Sequence, residues 1–569
     1  MNLPTVPFPQ PVRGGLSRTL AVPLFLSLVS LAGAQSEVAR FEAVNMTLSG
    51  YTKDMFQGEE CVKLTGPNGT AEAAYNGPEG AYDVRVRYLD ALDDQGFLSL
   101  AVNGRRKDGW SLGRAYEIWT TRLIAGVVLK PGDRIKIVGS GAGKELARLN
   151  AVSISVPRVF KKLDEGINQL PPMGWCSWNF TLGDPKRLGN DPSGKPYDFN
   201  EEYCKKTADK LVERGLRDLG YKWMMIPNAR NLRGTNGVLH TQWAYRYPNG
   251  FAPLVKYLHG KGLKALLYTD GGNSTCGPGG EQGGNYQHEQ LDADTFIDWG
   301  ADGLKMDWCG GEALRLVPHV QYQKFSQALL NAANRVGRPL QLEICVWGVD
   351  DPYRWGPDTG SFWRTGPDIA NNWHSMTGNL EANRHPEAAG PDKGWNFPDM
   401  LMVGVPGGLS DTEERAHFGL WCIVAAPLQL GNDVVHDMSA NTLDIIMNKE
   451  AIAVDQDPLG KQGDKVKFTG DDEAMKLASS SRPADRARAA TLEVWSKPLQ
   501  DGSRAVGLFN KTMTVAPITV AWSDIGLERG RKAKVRDLWK HQDLGEFTDS
   551  FKATVESHAL VFVKITPLD

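Results

Sequence analysis

Histidine and cysteine are scarce in this chain, ten and seven among 569 residues, and neither is clustered. No Cys/His group has the spacing of a zinc module, so no structural metal centre of that kind is expected. The odd cysteine count leaves at least one thiol without a partner in the chain, and the wide scatter is unlike a small disulfide scaffold. Excess positive charge is also lacking. A net charge of −3 offers no concentrated basic face for a phosphate backbone, which excludes nucleic acid as a partner. Beyond the N-terminus no stretch reaches the ~18 uninterrupted apolar residues of a membrane span, so no membrane partner is expected. There is no internal repeat and no low-complexity tract. No Gly-rich phosphate loop follows an early strand, and no nucleotide cofactor is implied.

What is present divides the chain. At the N-terminus Arg13 and Arg18 precede the apolar run LAVPLFLSLVSLAG, followed by Ala32-Gly33-Ala34. Basic flank, short apolar core and small-x-small site are the features of a secretory signal, here residues 1–34 with cleavage after Ala34. The mature protein is therefore expected to be soluble and secreted or periplasmic, where disulfides are permitted. Length alone suggests three or four domains at ~150 residues each. The 17 tryptophans and 62 glycines suit aromatic sugar-binding pockets and large cores equally.

Three textures follow the signal. Residues 36–160 carry alternating strand patterns, YDVRVRYL, FLSLAVNG, DRIKIVG and NAVSISV, punctuated by Gly, Pro and Asp turns. They predict an antiparallel β-sandwich. Residues 166–460 alternate short apolar segments with helical ones. The candidate strands are MGWCSW, YKWMMIP, KALLYTD, GLKMDW, LEICVW, SFWRT, PDMLMVG and PLQLGND, with helical stretches such as EEYCKKTADKLVERGLRDLG and TEERAHFGLWCIVAA between them. Eight such units predict a (β/α)8 TIM barrel, with a doubly wound open sheet as the runner-up. Residues 462–569 return to strand texture in TLEVWSKPL, GSRAVGLFN, APITVAW and HALVFVKI, a second antiparallel β-sandwich, with SSSRPADRAR read as an exposed loop.

In a barrel the C-terminal strand ends open into one pocket. Asp307 ends the fourth candidate strand and Asp368 closes WRTGPDI just after the sixth. Two carboxylates on one rim are the working parts of a glycosidase, one attacking the anomeric carbon or activating water, the other protonating the leaving oxygen. A lone aspartate at a strand end is more often a loop cap; the pairing makes the difference.

The ordered set PPMGWCSWNF, LLYTDGG, DGLKMDWCG, WRTGPDI, WNFPDML, PLQLGND and NKEAIAVDQDPLGKQG resembles glycoside hydrolase family 27, the melibiase or α-galactosidase family. EVWSKPL, DGSRAVGLFN and RDLW extend the resemblance into the last domain, so that it spans roughly residues 166–569. It implies a secreted retaining α-glycosidase, most directly an α-galactosidase acting on α-linked oligosaccharides or polysaccharides, with no cofactor. Asp307 matches the nucleophile and Asp368 the acid/base, a pair that in retaining enzymes stands ~5–5.5 Å apart. Lys305 would keep Asp307 ionised and bind the sugar. Arg364 matches a ligand of the sugar's O2, Trp178 and Tyr268 match pocket walls, and Asp270 and Asp399 match further family positions where loop capping is as good a reading. Cys276 and Cys309 match a family disulfide.

Two departures bear on the substrate. The family's second strand ends in paired aspartates that grip O4 and O6; here Pro227 and Asn228 stand there, with Arg230 nearby. Asn228 retains hydrogen-bonding capacity, whereas Pro227 has none to offer. The family's acidic residue before WG is Val346, and Glu343, at odd offset from it, is expected to be turned away by strand alternation. The same chemistry on another α-linked sugar, an α-glucan as in isomaltodextranase-type relatives or an arabinopyranoside, therefore stays open, as does a non-catalytic carbohydrate-binding protein. The first sandwich resembles jelly-roll carbohydrate-binding modules, which would make Glu42 a ligand of a structural calcium.

Overall fold

The structure is a computed structural model. It describes residues 37–568 apart from 57, 91–95, 113–117, 142–146, 157–162, 165–166, 177, 182–199, 227–230, 235–236, 242–246, 277–282, 337 and 437. The predicted signal, and with it Pro227, Asn228 and Arg230, lie outside the described residues.

The first described domain is built from two antiparallel sheets. One joins Tyr51–Phe56, Glu59–Leu64, Arg148–Ser155, Gly80–Asp90 and Ile118–Leu129 in that order, with Glu37–Glu42 also paired to Arg148–Ser155. The other runs Thr47–Ser49, Asn68–Ala74, Arg134–Ser140, Phe97–Val102 and Arg105–Ser111. Alternation sends Val84 and Val86 of one sheet and Ile135 and Ile137 of the other into a shared core.

Eight short strands then form one all-parallel sheet: β1 (Met173–Trp175), β2 (Trp223–Met225), β3 (Lys264–Asp270), β4 (Gly303–Asp307), β5 (Gln341–Ile344), β6 (Phe362–Arg364), β7 (Trp395–Phe397) and β8 (Leu428–Leu430). Neighbours follow chain order from β1 to β7, and β8 pairs with β1. A parallel bridge from Leu401 to Leu430 joins the segment after β7 to β8, so the sheet closes as a (β/α)8 barrel. The strands are largely buried on both faces because helices cover the outside and side chains fill the inside. Helix Asp411–Ile423 begins with a capping box, Glu413 accepting from the Ser410 N–H at 2.8 Å.

The seventh strand is WNF rather than the predicted PDMLMVG. Pro398 follows its last residue without an N–H to donate, and Asp399 takes a left-handed conformation with φ +86°, so the ladder stops there.

The last domain has a six-stranded antiparallel sheet, Asp464–Thr469, Leu492–Pro498, Arg504–Asn510, Leu560–Pro567, Lys532–Asp537 and Gln542–Thr548, faced by the hairpin-like pair Ala516–Ala521 and Ser550–Val555. Trp495, Phe509 and Phe562 reach the barrel's own core cluster. SSSRPADRAR is not simply a loop. Its second half is a short helix, Pro483–Arg488, opened by Pro483 in the first turn and anchored by Arg486 to Glu381. No described helix is long and apolar enough to cross a membrane.

Candidate active site

The inner face of the barrel is set by register. Tyr268 on β3 is aligned with Lys305 on β4, and Lys305 with Glu343 on β5; one pleat further, Asp270 is aligned with Asp307. In a parallel sheet aligned residues share a face. Asp307 thus stands at the mouth, its Oδ2 accepting a hydrogen bond from the Tyr268 hydroxyl at 3.0 Å and its Oδ1 one from the Trp308 N–H at 3.0 Å. Burial raises the Asp307 carboxyl, Lys305 pulls it back, and the charge of Asp368 adds to the rise, leaving it above the ordinary carboxylate range. Lys305 therefore acts in the expected direction without outweighing burial. Tyr268 does more than wall the pocket, since it holds the nucleophile candidate directly.

Glu343 is the residue that the sequence reading misplaced. It is not turned away. It is fully buried on the inner face, with Oε1 3.3 Å from Lys305 Nζ. The parity that matters is to Lys305, its register partner, and not to Val346, which lies past the end of β5 in the core. Burial opposes the Lys305 charge, but the neighbouring Cys345, Glu343 and Asp307 hold its pKa well above the ordinary lysine value.

A second group forms around Arg364 at the end of β6, itself 1% exposed. Its Nη2 donates to Asp368 Oδ1 at 3.0 Å and lies 2.9 Å from Asp399 Oδ2, and its Nη1 meets the Cys345 Sγ at 3.7 Å. Asp399 also accepts from the Ile369 and Met400 N–H groups, each at 2.8 Å, which ties the segment after β7 to the turn carrying Asp368. Asp368 is the open member, with its side chain 62% exposed. Partial burial would raise its carboxyl, but Arg364, with Lys305 behind it, holds it below the usual range.

Asp270 is a cap. Its Oδ1 accepts from the N–H groups of Gly272, Gly310 and Gly311 at 2.7, 3.0 and 3.2 Å, clipping the loops after β3 and β4 together. Burial, reinforced by Asp307, raises it to about 7 against these bonds. The disulfide Cys276–Cys309 crosses the same two loops, over a sequence separation of 33 residues, a closure that stabilises by about 3–4 kcal/mol in the chain-entropy model. The other five cysteines are buried thiols. Trp178, just after β1, is 40% exposed. Glu42 sits in the first sandwich, 2.5 Å from Arg40 Nε. Among the described residues the one cluster of metal-type ligands is Asp270, Cys276 and Cys309, two of which are tied up in the disulfide.

A (β/α)8 barrel with an aspartate at the end of β4 and an arginine-held aspartate after β6 defines the class, a glycoside hydrolase. The family profile described as alpha galactosidase A matches residues 170–457, and that of the alpha galactosidase C-terminal beta sandwich domain matches residues 489–565. The α-galactosidase of Cyamopsis tetragonoloba is 38% identical over 438 residues, 76% of this chain and 96% of the relative. The crystal structure of α-galactosidase I from Mortierella vinacea superposes with a TM-score of 0.59 at 28% identity, over 70% of this chain and 98% of the other. A crystal structure of a protein from Bacteroides fragilis gives 0.58 at 26% identity, over 87% of this chain and all of the other, and so reaches back into the N-terminal strands. The chain belongs to the melibiase family, glycoside hydrolase family 27.

Proposed function

We propose that the chain is an exported, retaining α-glycosidase that releases terminal α-D-galactosyl residues. Asp307 attacks the anomeric carbon as the bond to the aglycone oxygen breaks, and Asp368 gives that oxygen its proton. Asp368, now a carboxylate, takes a proton from water; the water oxygen attacks the same carbon and Asp307 leaves. The observation that carries the reading is the pairing of a buried aspartate, bonded to Tyr268 and flanked by Lys305, with an exposed one held by Arg364, in a chain 38% identical to an α-galactosidase. In this reading Lys305 binds a sugar hydroxyl, and Trp178 stacks on the ring from the rim. Export rests on the N-terminal signal pattern.

A second reading, the same chemistry on a different α-linked sugar, is favoured by Val346, which is buried in the core where the family carries an acidic sugar ligand. Turnover of aryl α-D-glycosides of galactose, glucose and N-acetylgalactosamine and of an aryl β-L-arabinopyranoside, with dextran alongside, separates the two. Galactoside turnover is expected to dominate; preferential release from dextran or the arabinopyranoside would move the assignment to the second reading. Asp307→Asn is expected to lose roughly 10³-fold or more in kcat. Asp368→Ala is expected to lose far more on alkyl than on nitrophenyl glycosides, because a good leaving group needs little protonation. Equal losses on both would remove Asp368 from the acid role.

A further inference from the structure

The loop after β5 holds an improbable backbone. Trp347, Asp350 and Asp351 have φ of +54°, +63° and +49°, and none is a glycine. Such conformations persist only where surrounding contacts over-determine them. Part of that network comes from the N-terminal sandwich, directly at Asp351 and, at Asp350, through His319 on the barrel helix Pro318–Val336. Arg85, on strand Gly80–Asp90, donates from Nε to His319 Nε2 at 3.0 Å; the proton of that imidazole then lies on Nδ1, which donates to Asp350 Oδ2 at 2.7 Å. Arg122, on strand Ile118–Leu129, is ion-paired to Asp351, both side chains being 4% exposed. Arg122 Nε also donates to Asp108 Oδ2 at 2.8 Å, and Asp108 Oδ1 lies 3.4 Å from Nη2 of Arg354 on the loop. Arg85 is fixed in turn by Ser155, whose Oγ is 2.5 Å from Nη1.

The loop so held touches the site. The Gly348 N–H donates to the Arg364 carbonyl at 3.2 Å, and a Cβ on Gly348 would come within 2.5 Å of the Thr365 carbonyl oxygen. Gly348 itself has φ +82°. The loop thus lies against the backbone of the arginine that orients Asp368.

We propose that the N-terminal sandwich is a brace for the active site: Arg85, through His319, and Arg122 act as positioning residues that lock the loop after β5, and through Gly348 fix Arg364 and the acid/base carboxylate it holds. This rests on the proposed role of Asp368. It gives the domain a function within the reaction that does not require it to bind sugar.

The test uses the full chain with Arg122→Gln and, as the milder change at a residue one-third exposed, Arg354→Gln. Steady-state kinetics are measured on an alkyl and a nitrophenyl α-galactoside. A displaced acid/base predicts kcat down roughly 10-fold or more on the alkyl substrate, with KM little changed and the nitrophenyl substrate altered by less than roughly 3-fold. A purely structural role lowers both equally through the folded fraction, and that result, or no change in either variant, overturns the brace. If Arg122→Gln does not fold, Arg354→Gln alone decides in the same way. Wild-type enzyme silent on both substrates would instead overturn the galactosidase reading.

Discussion

Asp307 lies between charges of both signs, and its protonation is set by their balance. Lys305 is shared, with Asp307 on the side of the mouth and Glu343 at 3.3 Å within the barrel, where among the described residues neither Glu343 oxygen has a hydrogen bond of good geometry. Burial drives the Glu343 carboxyl up, and Lys305 and Arg364 resist. With Glu343 charged, part of the lysine's field is spent on it. Glu343→Gln keeps the shape and removes that charge, so Lys305 acts on Asp307 undiluted and lowers its pKa. In the proposed role of nucleophile Asp307 must be ionised, so the acid limb of the kcat/KM profile is expected to move to lower pH in the variant. The pH profile of Glu343→Gln on a nitrophenyl α-galactoside checks this; an unmoved limb would mean that Glu343 holds a proton at working pH. Asp368 is tuned the other way, below its usual range by Arg364. Because the charge of Asp368 enters the balance at Asp307, the two titrate as a pair, and the limbs of the wild-type profile belong to both.

At the scale of elements, the loops after β3 and β4 are joined by Asp270 and by the Cys276–Cys309 disulfide. Asp270 is raised from 3.8 to about 7. Between those values the folded chain keeps the proton that the unfolded chain has lost, so stability falls as pH rises through that window, by up to about 1.4 kcal/mol per pH unit, and levels off above it. Asn at this position accepts the same three N–H bonds without titrating. Urea midpoints of Asp270→Asn are therefore expected to vary less between pH 4 and 7 than those of the wild type, and a parallel slope would show that other carboxylates dominate. Which elements the sequence made legible follows from the same physics. Apolar runs made strands such as β3 and β4 legible because burial on both faces favours apolar residues except where the site places its charges. β7 escaped because it is three residues long and the more apolar stretch after it is interrupted by Pro398 and the left-handed Asp399. Glu343 escaped because a face is fixed by register with a neighbouring strand, which one segment read alone does not contain. The Arg122–Asp351 contact, more than two hundred residues apart, left no local signal at all.

Across the whole molecule, the barrel and the C-terminal sandwich are joined by a buried charge network rather than by apolar contact alone. Glu381, at the end of helix Trp373–Ala382, is fully buried, with Oε1 2.5 Å from Lys465 Nζ and Oε2 3.0 Å from Arg486 Nε. Lys465 turns also to Glu493 at 3.0 Å, and Lys511 lies 3.5 Å from the same carboxylate. Burial would raise Glu381, but Lys465, Lys511 and Arg384 overcome it and hold it near 2, from an ordinary 4.5. Its contribution is present above pH 4.5 and is lost as pH falls toward 2. Removing one member of such a network strands the others' charges in the interior, at a cost of about 3–5 kcal/mol. Glu381→Gln leaves Lys465 with Glu493, and Arg486 with no carboxylate, as charged partners among the described residues. Because Trp495 and Phe562 share the barrel's core, the wild-type barrel and sandwich are expected to unfold together. Differential scanning calorimetry at pH 7 should therefore show one transition for these two domains in the wild type, and in Glu381→Gln an earlier, separate transition for the sandwich. A variant that melts with the wild-type profile would mean that the apolar contacts alone hold the junction and that the charges merely fill it.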